Sequence, residues 1–485
     1  MAESIQFFKK REKIYPRRVW GKYRKLKWIA MAVLLTIYYG APWLRWDRGA
    51  ESPDQAILID LHHTRAYFFG IEIWPQEVYY ITGILILAAV GLFFVTSLFG
   101  RVWCGYACPQ TVWTDLFVWV ERIIQGDRNA RKKLDDGPWN FEKIRKKFLT
   151  HLIWLIIGLC TGGAWVFYFN DAPTLMDQIL HADVPNNVAA WIIGLTFSTY
   201  LMAGFAREQV CTYMCPYARF QSAMFDKDTL IIAYDQERGE PRGKWKKKNE
   251  YLAQAAGKAT YQAEASGLLA EAKSAAKTKA GHCIDCDSCV VVCPMGIDIR
   301  EGLQMECIAC GLCVDACDSV MEKIGLPKGL IRYDTESKKP FTPLRPRTYW
   351  YTTIITLVGC LMLYNLITRS PLEVNVIHDR NPLFVKLSDG GIRNGYIVHL
   401  LNKSHADVTY ALTVTGIDQP SIRIQSTSDI APDQLSVFAD SIGDFRVFLT
   451  ARKQKEHRAD IVFCITAAKS KLQECKKTIF VSEGK

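Results

Sequence analysis

Histidine is scarce in this chain, with nine residues in 485. No C-x-x-C-H is available to attach haem covalently. No two long apolar runs carry histidines that would face each other across a haem. No G-x-G-x-x-G follows a strand and opens a helix, and there is no P-loop. Nucleotide and flavin binding therefore find no support in the residues. A cleavable signal peptide is not expected either. Residues 1–27 are polar and basic, with no short apolar core ending in small residues.

What the chain does hold is long runs free of charge. Five stretches without Lys, Arg, Asp or Glu reach the roughly 17–20 residues that cross a bilayer: 28–44, 78–100, 148–170, 184–206 and 348–368. Trp and Tyr crowd their ends, as at Trp28, Trp43, Tyr79, Tyr80 and Trp350, where interfacial belts place them. Lys and Arg number ten before the first run, then three, ten, none and 21 in the successive connections. That alternation puts the N-terminus, 101–147 and 207–347 on the cytoplasmic side and the tail after 368 outside. The net charge of +11 then belongs to a membrane surface and not to nucleic acid. The expected fold is multi-domain: a polytopic α-helical membrane domain of five spans, an inserted bacterial-ferredoxin-like α+β domain, and an all-β immunoglobulin-like sandwich.

The expected boundaries are a basic segment 1–27, a membrane domain 28–237, a linker 238–281, a ferredoxin domain 282–325, a second linker 326–347, the fifth span 348–368 and the sandwich 369–485. The linker is rich in Ala, Lys and Glu and reads as solvated helix. The tail carries short, partly alternating, β-branched segments separated by turn residues every 8–12 positions. Cys464 and Cys475 lie symmetrically about Ser470. Two buried thiols and a cross-strand disulfide both suit them.

The most specific signal is a repeated cysteine run. Residues 283–293 and 307–317 each read C-x-x-C-x-x-C-x-x-x-C, the bacterial ferredoxin pattern whose fourth cysteine serves the other cluster. Cys283, Cys286, Cys289 and Cys317 are expected around one [4Fe–4S] cluster, and Cys307, Cys310, Cys313 and Cys293 around a second. Asp318 stands where a ferredoxin commonly has proline.

Two further pairs, "CGYACP" at Cys104 and Cys108 and "CTYMCP" at Cys211 and Cys215, fit neither a C-x-x-C redox motif nor a structural zinc site. Proline suits the first position of a helix and pushes the residue before it into extended backbone. Helices are therefore predicted to start at Pro109 and Pro216, with Cys108 and Cys215 at their N-termini. A helix dipole and the nearby Arg101 and Arg207 would favour low-pKa thiolates there. Three chemistries suit them: metal-free packing or redox cysteines, a third iron–sulfur or zinc centre, and a soft transition metal such as copper. His62 and His63 in the external loop read as a solvated pair, and His151 as a structural residue near the interface.

"YPRRVWGKYRKLKW", "GRVWCGYACPQTVWTDLFVWVER", "REQVCTYMCPYARFQSAMFD" and "YDQERGEPRG", with the double ferredoxin run and the β tail, resemble the CcoG/FixG/RdxA family of cytochrome c oxidase accessory proteins. The resemblance covers nearly the whole chain. It implies a protein of the bacterial inner membrane that reduces Cu(II) to Cu(I) for assembly of cbb3-type oxidase. It also implies that Cys104, Cys108, Cys211 and Cys215 are the copper site or its immediate relay. Implied partners are oxidase subunits or copper chaperones and transporters, the lipid bilayer, an electron donor and a second copy of the chain in a homodimer. Two other readings are a redox-sensing assembly scaffold and a quinol-linked electron conduit to a periplasmic reductase. The sandwich tail and the lack of a flavin domain speak against the conduit.

Overall fold

The computed structural model describes residues 13–49, 52–244, 281–338, 340–425, 429–452, 457–468 and 472–482. Most of the predicted helical linker, 245–280, and Ser470 lie outside them. The chain forms two compact units, 1–44 with 55–361, and 45–54 with 362–485.

Among the described residues, four helical segments are long and apolar enough to cross a membrane: Pro75–Phe99, Phe141–Val166, Asn186–Ala206 and Pro346–Ile367. The first expected span, 28–44, is not among them. Its helix, α1, runs Lys22–Gly40, and Lys22, Arg24, Lys25 and Lys27 fill the opening turns before a 3-10 turn with Pro42 follows. The apolar part is therefore short. The helix α6, Phe141–Val166, starts seven residues before its charge-free run. A hydropathy reading cannot see that charged extension.

Polar side chains fix how α1 lies. Tyr23 and Arg24 donate their backbone N–H groups to the Asp315 carboxylate at 3.2 and 2.7 Å, which satisfies orphan donors of the first turn. The Arg24 guanidinium grips Asp115 through two 2.9 Å contacts. At the other end Tyr38 donates to the Thr161 carbonyl at 2.8 Å, and Tyr168 donates to the Tyr38 carbonyl at 3.0 Å. So α1 runs alongside the helices from the ferredoxin end to the far end of α6. There Ile59 N–H also meets the Tyr168 carbonyl at 2.8 Å. A small antiparallel sheet closes that far end: β1 (Ile57–Asp60), β2 (Arg65–Phe68) and β3 (Ile71–Ile73). It is absent from the sequence reading.

The cluster loops are framed by more chain than 282–325. Strand β4, Leu230–Tyr234, pairs with β5, Ile331–Thr335, in antiparallel register. These strands flank the loops on either side in sequence. Asp318 sits inside the helix Leu312–Lys323, where proline would break the hydrogen-bond ladder. Its carboxylate accepts from Gly329 N–H at 2.8 Å instead.

The second unit is a two-sheet sandwich. One sheet orders its strands β11 (Asp429–Ile430), β10 (Ser421–Gln425), β13 (Ser441–Ala451), β8 (Ile392–Asn402) and β6 (Leu372–His378), with β7 (Val385–Lys386) also paired to β8, and the other β12 (Leu435–Val437), β9 (Val408–Thr415), β14 (Arg458–Ala467) and β15 (Gln473–Val481). Its longest ladder pairs β8 (Ile392–Asn402) with β13 (Ser441–Ala451). The inward residues, including Tyr396, Val447, Ile461, Phe463 and Phe480, are fully buried. Cys464 faces Cys475 in the β14–β15 register, and the two form a disulfide.

Candidate functional site

The predicted helix starts are in place. Helix α4 begins at Pro109 and runs to Gln125, with Cys108 as N-cap at φ −62°, ψ 128°. Helix α9 begins at Pro216, with Cys215 as N-cap at φ −81°, ψ 111°. The residues four positions before each first cysteine share one unusual backbone: Gly100 has φ 57°, ψ −127° and Arg207 has φ 43°, ψ −113°. The two motifs thus share their entry kink and their helix start, while the turn between is α-helical in one and π-helical in the other. Glycine adopts the kinked conformation freely. Arginine, with its Cβ, does not, and such strain marks a place the surrounding structure over-determines. Arg207 is held by Glu121 at 2.6 Å, and Glu121 also accepts from Arg131 at 2.8 Å.

The two pairs meet. Gln110, just after Cys108, donates to the Arg207 carbonyl at 3.1 Å. The Cys104 thiol donates to Gln221 Oε1 of α9 at 3.2 Å. Thr111 donates its hydroxyl to the Cys104 and Cys108 carbonyls at 2.6 and 2.9 Å, locking the loop between them. Burial pushes the Cys104 thiol up to about 12, with Cys108, Cys211 and Cys215 adding to it and Arg101 opposing. Burial likewise pushes Cys211 up to about 11. Cys104 and Cys211, the two cysteines that do not sit at the helix starts, are therefore held as neutral thiols in the metal-free protein. Desolvation outweighs Arg101 there, and a bound cation reverses that balance.

The ferredoxin cysteines are gathered as the swapped pattern predicts. Cys317 interacts electrostatically with Cys283, Cys286 and Cys289, and Cys293 with Cys307 and Cys310. A small cavity is lined by Cys293, Cys307, Cys310 and Cys313 with Ile232 and Ile308. Left-handed backbone at Asp285, Asp287, Ala309 and Gly311 wraps the loops tightly. Thiols gathered around a small hollow, with loops curled tightly about them, fit iron–sulfur clusters. Cys286 alone of the eight is exposed.

The "RGEPRG" block earns its place here. Cys283 N–H donates to the Gly239 carbonyl at 3.2 Å, and Gly243 N–H to the Cys283 carbonyl at 3.2 Å. A Cβ on Gly239 would lie 2.1 Å from the Tyr234 hydroxyl. The motif therefore clamps the first cluster cysteine, a role its sequence did not disclose.

The thiol pairs and the second cluster loop are in direct contact. Cys104 packs against the buried group of Ile308, Cys310 and Leu312. A Cβ on Gly105 would stand 2.7 Å from the Ile308 carbonyl and 3.1 Å from Cys310 Cα, so only glycine permits this approach. Tyr106 donates to the Cys310 carbonyl at 3.0 Å. Arg101 donates to the carbonyls of Met305 and Ala218, tying the cluster loop to α9. His62 and His63 are exposed, and His63 pairs with Asp60 at 2.6 Å. His151 bonds Tyr200 at 3.0 Å and stacks on Phe205.

Residues 206–336 match a family model described as a 4Fe-4S dicluster domain, and 81–126 match a 4Fe-4S binding domain. Residues 362–483 match the IG-like fold at the C-terminus of FixG. The nitrogen fixation protein FixG of Rhizobium meliloti is 46% identical over 95% of this chain and 90% of its own. The chain belongs to the FixG/RdxA family. RdxB of Cereibacter sphaeroides is 50% identical over 85% of this chain and 84% of its own, and RdxA of the same organism 45% identical over 93% and 91%. A crystal structure of a FixG-related protein from Vibrio parahaemolyticus, 22% identical, covers 24% of this chain and 98% of its own with a TM-score of 0.21. Family members share the 4Fe-4S segments and the sandwich, so this chain is an iron–sulfur electron-transfer protein with membrane helices.

Proposed function

We propose that the protein reduces Cu(II) to Cu(I) at the cytoplasmic face of the bacterial inner membrane, for assembly of a cbb3-type cytochrome oxidase. Copper is the substrate. Cys283, Cys286, Cys289 and Cys317 hold one [4Fe–4S] cluster, and Cys307, Cys310, Cys313 and Cys293 the other. Such clusters supply single electrons, and Cu(II) to Cu(I) is a one-electron step. The observation that carries the reading is the contact of Cys104 and Gly105 with the Ile308–Cys310 loop. It gives electrons a short exit from the second cluster loop to Cys104, Cys108, Cys211 and Cys215. These four thiols are the copper site or its immediate relay, and soft sulfur favours the reduced copper ion. The exposed Cys286 edge faces an external donor. The burial of Arg101 and Tyr106 in the contact keeps water out of it.

The placement of α1 between the ferredoxin end and the far end of α6 supports the N-terminus and cluster loops sharing one side, which the Lys and Arg alternation makes the cytoplasm, and the same alternation assigns the sandwich to the periplasm. The Cys464–Cys475 disulfide suits that compartment. Oxidase subunits or copper chaperones then dock on either face. The test is Cu(II) reduction by purified protein with reduced clusters. Replacing Cys104 and Cys108 by Ser should slow it by about 100-fold or more, the order expected when reacting groups lose their placement, with both ferredoxin clusters retained. Equal rates with clusters intact would refute the assignment.

A further inference from the structure

We propose that Cys104, Cys108, Cys211 and Cys215 together hold a third [4Fe–4S] cluster, so that the four thiols relay electrons and do not bind a lone metal ion.

The ligand count is the first support. Residues 81–126 match a 4Fe-4S binding domain, yet they contain only two cysteines, Cys104 and Cys108. A cubane takes four thiolates, so that segment is half a ligand set. The dicluster match begins at residue 206, just before Cys211 and Cys215, and holds two cysteines beyond the eight of the ferredoxin runs. These two complete the set.

The geometry supplies the second support. The halves are brought together by the Cys104–Gln221 and Gln110–Arg207 hydrogen bonds at 3.2 and 3.1 Å. Cys104 also feels the charges of Cys108, Cys211 and Cys215, so the four sulfurs belong to one cluster of side chains.

The third support is position. The four thiols abut the Ile308–Cys310 loop through Gly105, where a further one-electron centre continues the wire. Here the inference leans on the proposed function only for the direction of flow.

The experiment uses full-length protein, purified without oxygen and reconstituted with iron and sulfide. Three clusters give about twelve irons and twelve labile sulfides per chain, and two give about eight. Cys104→Ser and Cys211→Ser should each lose about four irons while the paramagnetic signals of the two ferredoxin clusters persist and report a folded chain. About eight irons in wild type and in both variants, with or without bound copper, overturns the proposal. Should the variants not fold, the wild type decides: reductive titration takes up about three electrons per chain, and about two would overturn it. Copper reduction is assayed separately. Its loss with twelve irons present condemns the copper reading alone, and its presence with eight condemns the third cluster alone.

Discussion

The two units of the chain spend their interiors in opposite ways. The sandwich buries tyrosine, valine and phenylalanine between two sheets, and its two cysteines are oxidised to each other. The unit that carries the helices and cluster loops gathers thiols and buries charges: Cys283, Cys289, Cys310 and Cys317 are buried, beside ion pairs such as Arg131–Glu121–Arg207 and Arg24–Asp115. One interior is finished by folding. The other stays reactive, and its order depends on polar partners being present. Cysteines become a disulfide where strand register sets them opposite, with Cα atoms 4.1 Å apart. They stay thiols where a helix start splays them.

The sharpest way to break that contrast is to remove a charge from the first unit. Glu121 is buried between two guanidinium groups. Burial works to raise its pKa, but Arg207 and Arg131 prevail and hold it below the usual carboxylate range. Glu121→Gln leaves two buried cations short of their anion. The expected cost is about 3–5 kcal/mol, read as a lowered unfolding midpoint of the helical unit in detergent. An unchanged midpoint would mean that apolar packing carries this unit too.

The matching experiment in the sandwich is the double change of Cys464 and Cys475 to Ala. The bridge closes a loop of sequence separation 11, so its loss should cost about 2–3 kcal/mol. Iron content should not move at all. Iron loss on removing this disulfide would show that the two chemistries are not separate.

Asp315 offers a smaller effect at the join of helix and cluster loop. It caps α1 through the N–H groups of Tyr23 and Arg24. Asp315→Ala should cost about 1–2 kcal/mol as a lost cap, and Asp315→Asn less, since an amide oxygen still accepts. Both should leave the sandwich transition in place.

Much of this was legible in the residues. Pro109 and Pro216 mark where α4 and α9 start, because proline excludes the helix before it. The ferredoxin spacing anticipates that Cys317 lies beside Cys283, Cys286 and Cys289, and Cys293 beside Cys307 and Cys310. Alternation exposes the strands of the sandwich. What was not legible depends on meetings between distant segments. The union of the two cysteine pairs rests on Gln110 reaching Arg207 and Cys104 reaching Gln221, each about a hundred residues away. The capping of α1 by Asp315 and the clamp of "RGEPRG" on Cys283 are of the same kind. The early start of α6 escaped because Glu142, Lys143, Arg145 and Lys146 look like loop to a hydropathy count. The thiol pKa values of Cys104 and Cys211 escaped because local rules see Arg101, while burial is a property of the whole fold.

That last point yields the gentlest test. In metal-free protein the Cys104 thiol is held up to about 12, chiefly by burial, above the 9.0 of an ordinary thiol. The raised value means the neutral thiol is preferred, so thiolate is rare at pH 7 to 9 and grows about tenfold with each pH unit. Alkylation of Cys104, followed by mass spectrometry, should therefore keep accelerating through pH 10, where a cysteine in an unstructured peptide has already levelled off. The same shift gives the metal-free fold its full stability below about pH 9, and that stability falls as pH rises towards 12. Capture of a metal must expel these protons, so loading should weaken as pH falls. A labelling rate that levels off near pH 9 would place Cys104 in contact with solvent. The contrast between a closed sandwich and a buried, reactive sulfur site would then lose its main example.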